Sequence, residues 1–301
     1  MSKINYKITL SFISILASGV VLLSSCSKKD EQTPTDPEAT QPIRPVTDQS
    51  KAYVTQLFSY NPAPGQFINT SVGNTEAAKS VLNGKNGLVS LGAFGGSIVF
   101  GFDHTVLNVD GKEDIVIYAN AATGSAEPGV VWVMQDTNKN GLPDDSWFEL
   151  AGAATNATGY VRNYQVTYTR PDPVTGDVKW KGSLKDSGLV KTNTFHKQPY
   201  YPESITAASY TLKGTLLPST NIDANNPSFI TSAPFNFGYA DSTPGGDKVD
   251  IGNAIDDKGN KVKLNGIDFI KVQTGIQFNL GWLGELSTEV RGIADISLEK
   301  L

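Results

Sequence analysis

The 301-residue chain carries 25 Lys and Arg against 30 Asp and Glu, a net charge of −5, with one Cys and two His. The acidic balance argues against nucleic-acid binding, which needs a basic face; one Cys and two His exclude a disulfide framework and a three-His or Cys-rich zinc centre within one chain. With 18% charged residues and 29 Gly, the composition is that of an extracellular β protein rather than a helical one.

Lys3 and Lys7 precede an apolar run from Ile8 to Leu23. The run is short for a membrane span and ends in small residues, the pattern of a secretory signal peptide over residues 1–25. The closing Leu23-Ser24-Ser25-Cys26 resembles a bacterial lipobox, whose Cys is lipidated, and it holds the single Cys of the chain. Residues 26–50 contain Pro34, Pro37, Pro42 and Pro45 but no aromatic side chain, so a solvated tether is expected there. The run Lys28-Lys29-Asp30-Glu31 resembles the surface-export signals of Bacteroidota lipoproteins. It implies an outer-membrane lipoprotein at the cell surface, with a periplasm-facing one as the alternative.

Residues 51–301 are expected to form a single β-sandwich domain. A helix is predicted over 75–82, stopped by Asn83-Gly84. Short β-branched runs predict strands over 97–102, 114–119, 130–135, 164–169, 209–213, 267–274 and 295–298. Tyr164, Val166 and Tyr168 alternate with polar residues, the period of a half-buried strand. Asp110-Gly111, Asn140-Gly141 and Gly245-Gly246 supply turn chemistry, and a short helical turn is expected near 251–256. The fold class is therefore all-β, a sandwich or jelly roll with long loops and one or two short helices.

The strongest chemical signal is the segment 136–145. Asp136, Asn138 and Asn140 place side-chain oxygens at every second residue, and Gly141 permits a sharp turn. The Leu142 carbonyl and Asp144 or Asp145 then complete a shell of the kind Ca²⁺ requires, six to eight oxygens converging on one point. Position twelve is Trp147 rather than Glu, and strands are predicted on both flanks, so this is a β-framed calcium loop rather than an EF-hand. A polar hairpin without metal is the alternative. Glu127, Asp241, Asp247 and Asp250 form a second acidic group that offers an ion site or a solvated loop.

No Gly-x-Ser-x-Gly elbow occurs, and His104 and His196 read as packed or hydrogen-bonded residues rather than bases, so no catalytic residue is assigned. Aromatic side chains stack on sugars and planar ligands. Trp147, His196, Tyr200 and Tyr201 are the ligand-binding candidates. Of the Tyr pair, neighbours on a strand face opposite sides, which would leave one exposed.

Residues 91–103, 127–131, 136–145, 147–152, 195–202, 238–241 and 249–259 together resemble, in order and spacing, a family of Bacteroidota cell-surface lipoproteins of jelly-roll type. Its members are often labelled only as cell-surface or PKD-associated proteins, and some accompany outer-membrane uptake systems, including those for corrinoids. The combined expectation is a non-enzymatic lipoprotein anchored in the outer membrane. It would bind a glycan, corrinoid or other nutrient beside a structural Ca²⁺ loop, with an outer-membrane transporter as a further partner. A carbohydrate-active hydrolase and an adhesion module are the competing readings.

Overall fold

Alternating and β-branched runs separated by Gly and Asn turns fold as strands throughout, and a computed structural model describes them over residues 43–299. Cys26, the signal peptide and the tether to residue 42 lie outside the described residues. The chain runs through β1 (Gln56–Asn61), α1 (Thr75–Ser80), β2 (Val89–Ser90), β3 (Ser97–Leu107), β4 (Ile115–Ala119), β5 (Gly129–Met134) and β6 (Phe148–Leu150). It continues through β7 (Val161–Thr169), β8 (Val178–Gly182), β9 (Ser187–Val190), β10 (Ser209–Leu216), β11 (Ile222–Asp223) and β12 (Thr231–Ser232). The last strands are β13 (Tyr239–Ala240), β14 (Asp247–Val249), β15 (Ala254–Ile255), β16 (Gly266–Thr274) and β17 (Glu289–Asp295), with 3-10 turns at Ile251–Asn253 and Gly281–Leu283. Among the described residues no helix is long and apolar enough to cross a membrane.

The larger sheet has the order β1-β3-β16-β5-β6-β15, with β13 also paired to β5; a second sheet has the order β14-β4-β17-β2. Ile98, Phe100, Val131, Val133, Ile270 and Val272 of the larger sheet pack against Ile115, Ile117, Val249, Val290 and Ile293 of the second. This is a β-sandwich, and each fully buried aliphatic side chain in it contributes about 1.5–3 kcal/mol. A third sheet, β10-β7-β8-β9, has its own core of Phe94, Tyr164, Val166, Tyr168, Val178 and Val190. The alternation of Tyr164, Val166 and Tyr168 buries those residues and leaves Asn163 and Gln165 exposed, as the period predicts.

Helix α1 begins where the Asn74 side chain accepts a hydrogen bond from the Ala77 amide at 2.9 Å, an N-cap. It ends before Asn83, which adopts the left-handed conformation at φ 62°, two residues short of the expected span. Residues 296–298, expected in a strand, leave the sheet because the Asp295 carboxylate accepts from the Ser297 amide at 2.7 Å and turns the chain. The expected tether is also shorter. The Arg44 amide donates to Thr105 Oγ1 at 2.9 Å, and its Nε donates to Asp268 Oδ1 at 2.9 Å. Asp268 is 1% exposed, and a buried carboxylate needs such a cation, so Arg44 already ties the chain to the sandwich although most of residues 43–50 remain exposed.

Candidate functional site

The outer face of the larger sheet carries an unusual row. Antiparallel register places Lys271 of β16 opposite Trp132 of β5, and Trp132 opposite Glu149 of β6. Adjacent strands therefore present a cation, an indole and a carboxylate side by side. Lys271 Nζ lies 4.1 Å from the ring centre of Trp132 and 5.3 Å from that of Trp147, within cation–π range. Arg162 of β7 and Thr215 of β10, from the third sheet, close the other side of a cleft of about 250 Å³.

The charges in this cleft are held firmly. Glu149 accepts from Thr215 Oγ1 at 2.5 Å and from the Tyr160 hydroxyl. Burial raises its pKa, opposed by those two hydrogen bonds and by Arg162 and Lys271. Lys271 is pushed down to about 8 by burial, with Glu149 pulling the other way. Arg162 Nε donates to the Tyr160 hydroxyl at 3.2 Å, while its buried Nη2 has no hydrogen-bond partner. The guanidinium lies against Gly259, at φ 86°, where a Cβ would collide with Nη1. The cleft thus combines two indole faces with an ammonium and a guanidinium whose buried Nη2 is unpartnered.

Of the residues expected to bind ligand, Trp147 lines this cleft. His196 packs elsewhere, edge-on to Phe67 at 4.9 Å. Tyr200 and Tyr201 correct the expectation of an exposed ring: they are 0% and 1% exposed. They lie outside any strand, so the alternating rule does not apply, and both rings turn into the core of the third sheet. The Tyr201 hydroxyl donates to the Ala207 carbonyl at 3.0 Å, and its ring lies under Arg170 at 4.5 Å. Trp132, Glu149, Arg162 and Lys271 were missed. The available signal was Lys271, a charge inside an apolar run, since charged groups in central strands are buried only with partners.

In the 136–145 loop the structure brings the expected residues together. The Asp136 carboxylate accepts from the amides of Asn140 at 3.1 Å and Gly141 at 2.9 Å. Asn138 Oδ1 accepts from the Asn140 amide at 3.0 Å, and Asn140 Oδ1 from the Leu142 amide at 2.7 Å. Asp144 accepts from Asn138 Nδ2 at 3.0 Å and Asn140 Nδ2 at 2.9 Å, and these amides lower its pKa, Asn140 first. The Leu142 carbonyl accepts from the Asp144 amide at 2.9 Å, and Asp145 is engaged by Thr137. An entering ion would have to displace the two Asn amides from Asp144.

The second acidic group is rearranged. Glu127, just before β5, and Asp241, just after β13, meet Glu289 at the start of β17, each offering an oxygen within 4.8 Å of the others. Asp247 and Asp250 are not part of this trio. Asp247 accepts from the Ser242 amide at 3.0 Å, and Asp250 caps a 3-10 turn through the Gly252 amide at 2.6 Å. Glu127 Oε1 accepts from the Ser287 amide at 3.0 Å, Asp241 Oδ2 from the Glu289 amide at 2.9 Å, and Glu289 Oε2 from Asn120 Nδ2 at 3.1 Å. Burial raises all three carboxyl groups, Glu289 to about 7; the charge of Glu289 raises Glu127 and Asp241 further, against the pull of the Glu289 and Ala121 amides on Asp241. Sequence could not find Glu289, because its partners reach it only across two sheets.

No protein-family model matches the chain, and no curated protein is significantly similar to it.

Proposed function

We propose that the protein is an outer-membrane lipoprotein, anchored through Cys26 and facing the cell surface, that binds a glycan or similar polar nutrient without cleaving it. The observation that carries this reading is the pair of indoles, Trp132 and Trp147, flanking Lys271 beside an unsatisfied Arg162 donor. A cleft of about 250 Å³ lies below the roughly 300–1,000 Å³ usual for ligand pockets, which supports one sugar unit over a corrinoid. Lys271 and Arg162 favour a ligand with an anionic group, such as a uronate. Calcium enters at the 136–145 loop as a structural ion.

A hydrolase is the second reading, because Glu149, Asp256 and Asp257 border the same cleft. Binding is favoured over it on the state of those acids. Both Glu149 oxygens are taken by hydroxyl donors, and Asp256 holds its own turn by accepting from the Lys258 and Asn260 amides at 2.9 and 2.7 Å. The test is binding of the purified full chain to a panel of neutral and acidic glycans, comparing wild type with Trp147→Ala and Lys271→Met. Retention that weakens about 10-fold or more in both variants, about 1.4 kcal/mol, supports the reading. Reducing ends released by wild type and not by Glu149→Gln would replace it with hydrolysis.

A further inference from the structure

We propose that Glu127, Asp241 and Glu289 form a Ca²⁺ site that joins the two sheets of the sandwich, separate from the 136–145 loop. Three independent features lead there. The first is geometric: each residue offers an oxygen within 4.8 Å of the others, and two oxygens each about 2.4 Å from one Ca²⁺ stand at most about 4.8 Å apart.

The second is an unmatched charge. Asp241 is 0% and Glu289 5% exposed. Among the described residues none of the ion pairs involves any of the three. Buried carboxylates normally pair or coordinate a metal, and here the trio accepts from neutral donors, the Ser287, Glu289 and Ala121 amides and the Asn120 side chain.

The third comes from atoms left over. Asp241 Oδ1 has no hydrogen-bond partner. Glu285, outside the trio and 2% exposed, likewise leaves Oε2 without one. Its other oxygen accepts from the Gln66 amide at 2.8 Å; its charge raises Glu127, and the charge of Glu289 raises it in turn. A further buried acid with an unpartnered oxygen thus lies close enough to interact electrostatically with the trio.

The ligand class follows from the donors. They are all carboxylate oxygens, which select a hard cation. Mg²⁺ keeps several waters and avoids all-protein cages, whereas Ca²⁺ accepts several carboxylates with irregular geometry. The site draws on segments bordering β5 and β13 of the larger sheet and on β17 of the second. Its ion would therefore hold one end of the sandwich closed. The competing account is that the carboxyl groups are simply protonated.

Calcium binding to the chelator-stripped full chain decides between them, measured by isothermal titration at pH 7.5 together with the melting temperature. The wild type is expected to bind Ca²⁺ and to melt higher with it. Glu289→Gln and Glu127→Gln, which keep side-chain size, should each lose one equivalent of bound Ca²⁺ and at least half of the calcium-induced rise. Asp144→Asn, in the exposed loop, should keep that equivalent, and it reports on the trio even if the buried variants do not fold. Wild type without bound Ca²⁺ in the millimolar range, Gln variants that bind as many ions as wild type, or loss of all binding in Asp144→Asn would each overturn the proposal.

Discussion

In the cleft on the outer face, cations and an anion are set against one another: Lys271 and Arg162 lie beside Glu149, and indole faces cover the ammonium. At the end of the sandwich, Glu127, Asp241 and Glu289 gather with Glu285 nearby, and among the described residues none of the ion pairs involves them. Both regions bury ionisable groups, at very different cost. Opposite charges and directed hydrogen bonds offset desolvation in the cleft, so its charged groups are stable without a further partner. Like charges add to desolvation in the trio, so it must take up protons or a cation. Charge balance alone thereby distinguishes the proposed binding cleft from the proposed ion site.

Emptying the trio should have the largest effect. An ion bound at 100 times its Kd stabilises the fold by about 2.7 kcal/mol. At about 2–4 °C per kcal/mol for a domain of this size, chelation is expected to lower Tm by about 5–10 °C, and added calcium to restore it. Differential scanning calorimetry checks this, and a melt that is unchanged through the cycle would remove the contrast. In the cleft, Trp147→Ala should lower Tm by only about 2–4 °C, since the half-buried ring packs on one side against the core that includes Trp132, yet weaken glycan retention about 10-fold or more. A variant that melts early and binds normally would assign Trp147 to packing instead.

Much of the framework could be read from local pattern. The Tyr164-Val166-Tyr168 alternation and the helix start at Thr75 depend on residues a few positions apart, and the structure follows them. The internal hydrogen bonds of the 136–145 loop are local in the same way, joining residues two to six positions apart. The cleft could not be read locally. Lys271, Trp132 and Glu149 become neighbours only through the register of β16, β5 and β6, which no local spacing encodes. Glu289 and Arg44 were hidden likewise, Arg44 by a partner 224 residues away. Tyr200 and Tyr201 show the opposite failure, where a strand rule was applied to residues that the chain places in a loop.

A titratable pair gives a smaller, pH-dependent contrast. Fully buried His104 lies with Nδ1 2.7 Å from Asp103 Oδ1 and Nε2 2.9 Å from Asp295 Oδ2. Burial opposes its charge, but hydrogen bonds to Asp295 and Asp103 hold its pKa above the ordinary value. Because the folded value exceeds the unfolded one of about 6.5, this stabilisation is complete below that pH and fades as pH rises through the folded value. Asp295 is opposite in sign. Burial opposes its charge, yet bonds from His104 and Ser297 lower its pKa, so its contribution is lost only as pH falls through that depressed value. Urea midpoints of wild type and His104→Gln should therefore differ most near pH 5–6 and converge toward pH 9. A constant gap would mean that His104 acts by packing alone.

The smallest effect is expected at the loop. Asp144 is exposed and bound only to its neighbours Asn138 and Asn140, so Asp144→Asn should change metal-free stability by no more than about 0.5 kcal/mol, measured by urea denaturation in the presence of chelator. A larger loss would show that the loop bears more of the fold than the trio does.

The contrast between a balanced cleft and an unbalanced trio is tested most directly by a crystal structure grown in millimolar calcium, with anomalous data to identify the ion. Density among Glu127, Asp241 and Glu289, with oxygens at about 2.3–2.6 Å, is the predicted result. Carboxyl groups bonded to one another around an ion-free centre would contradict it.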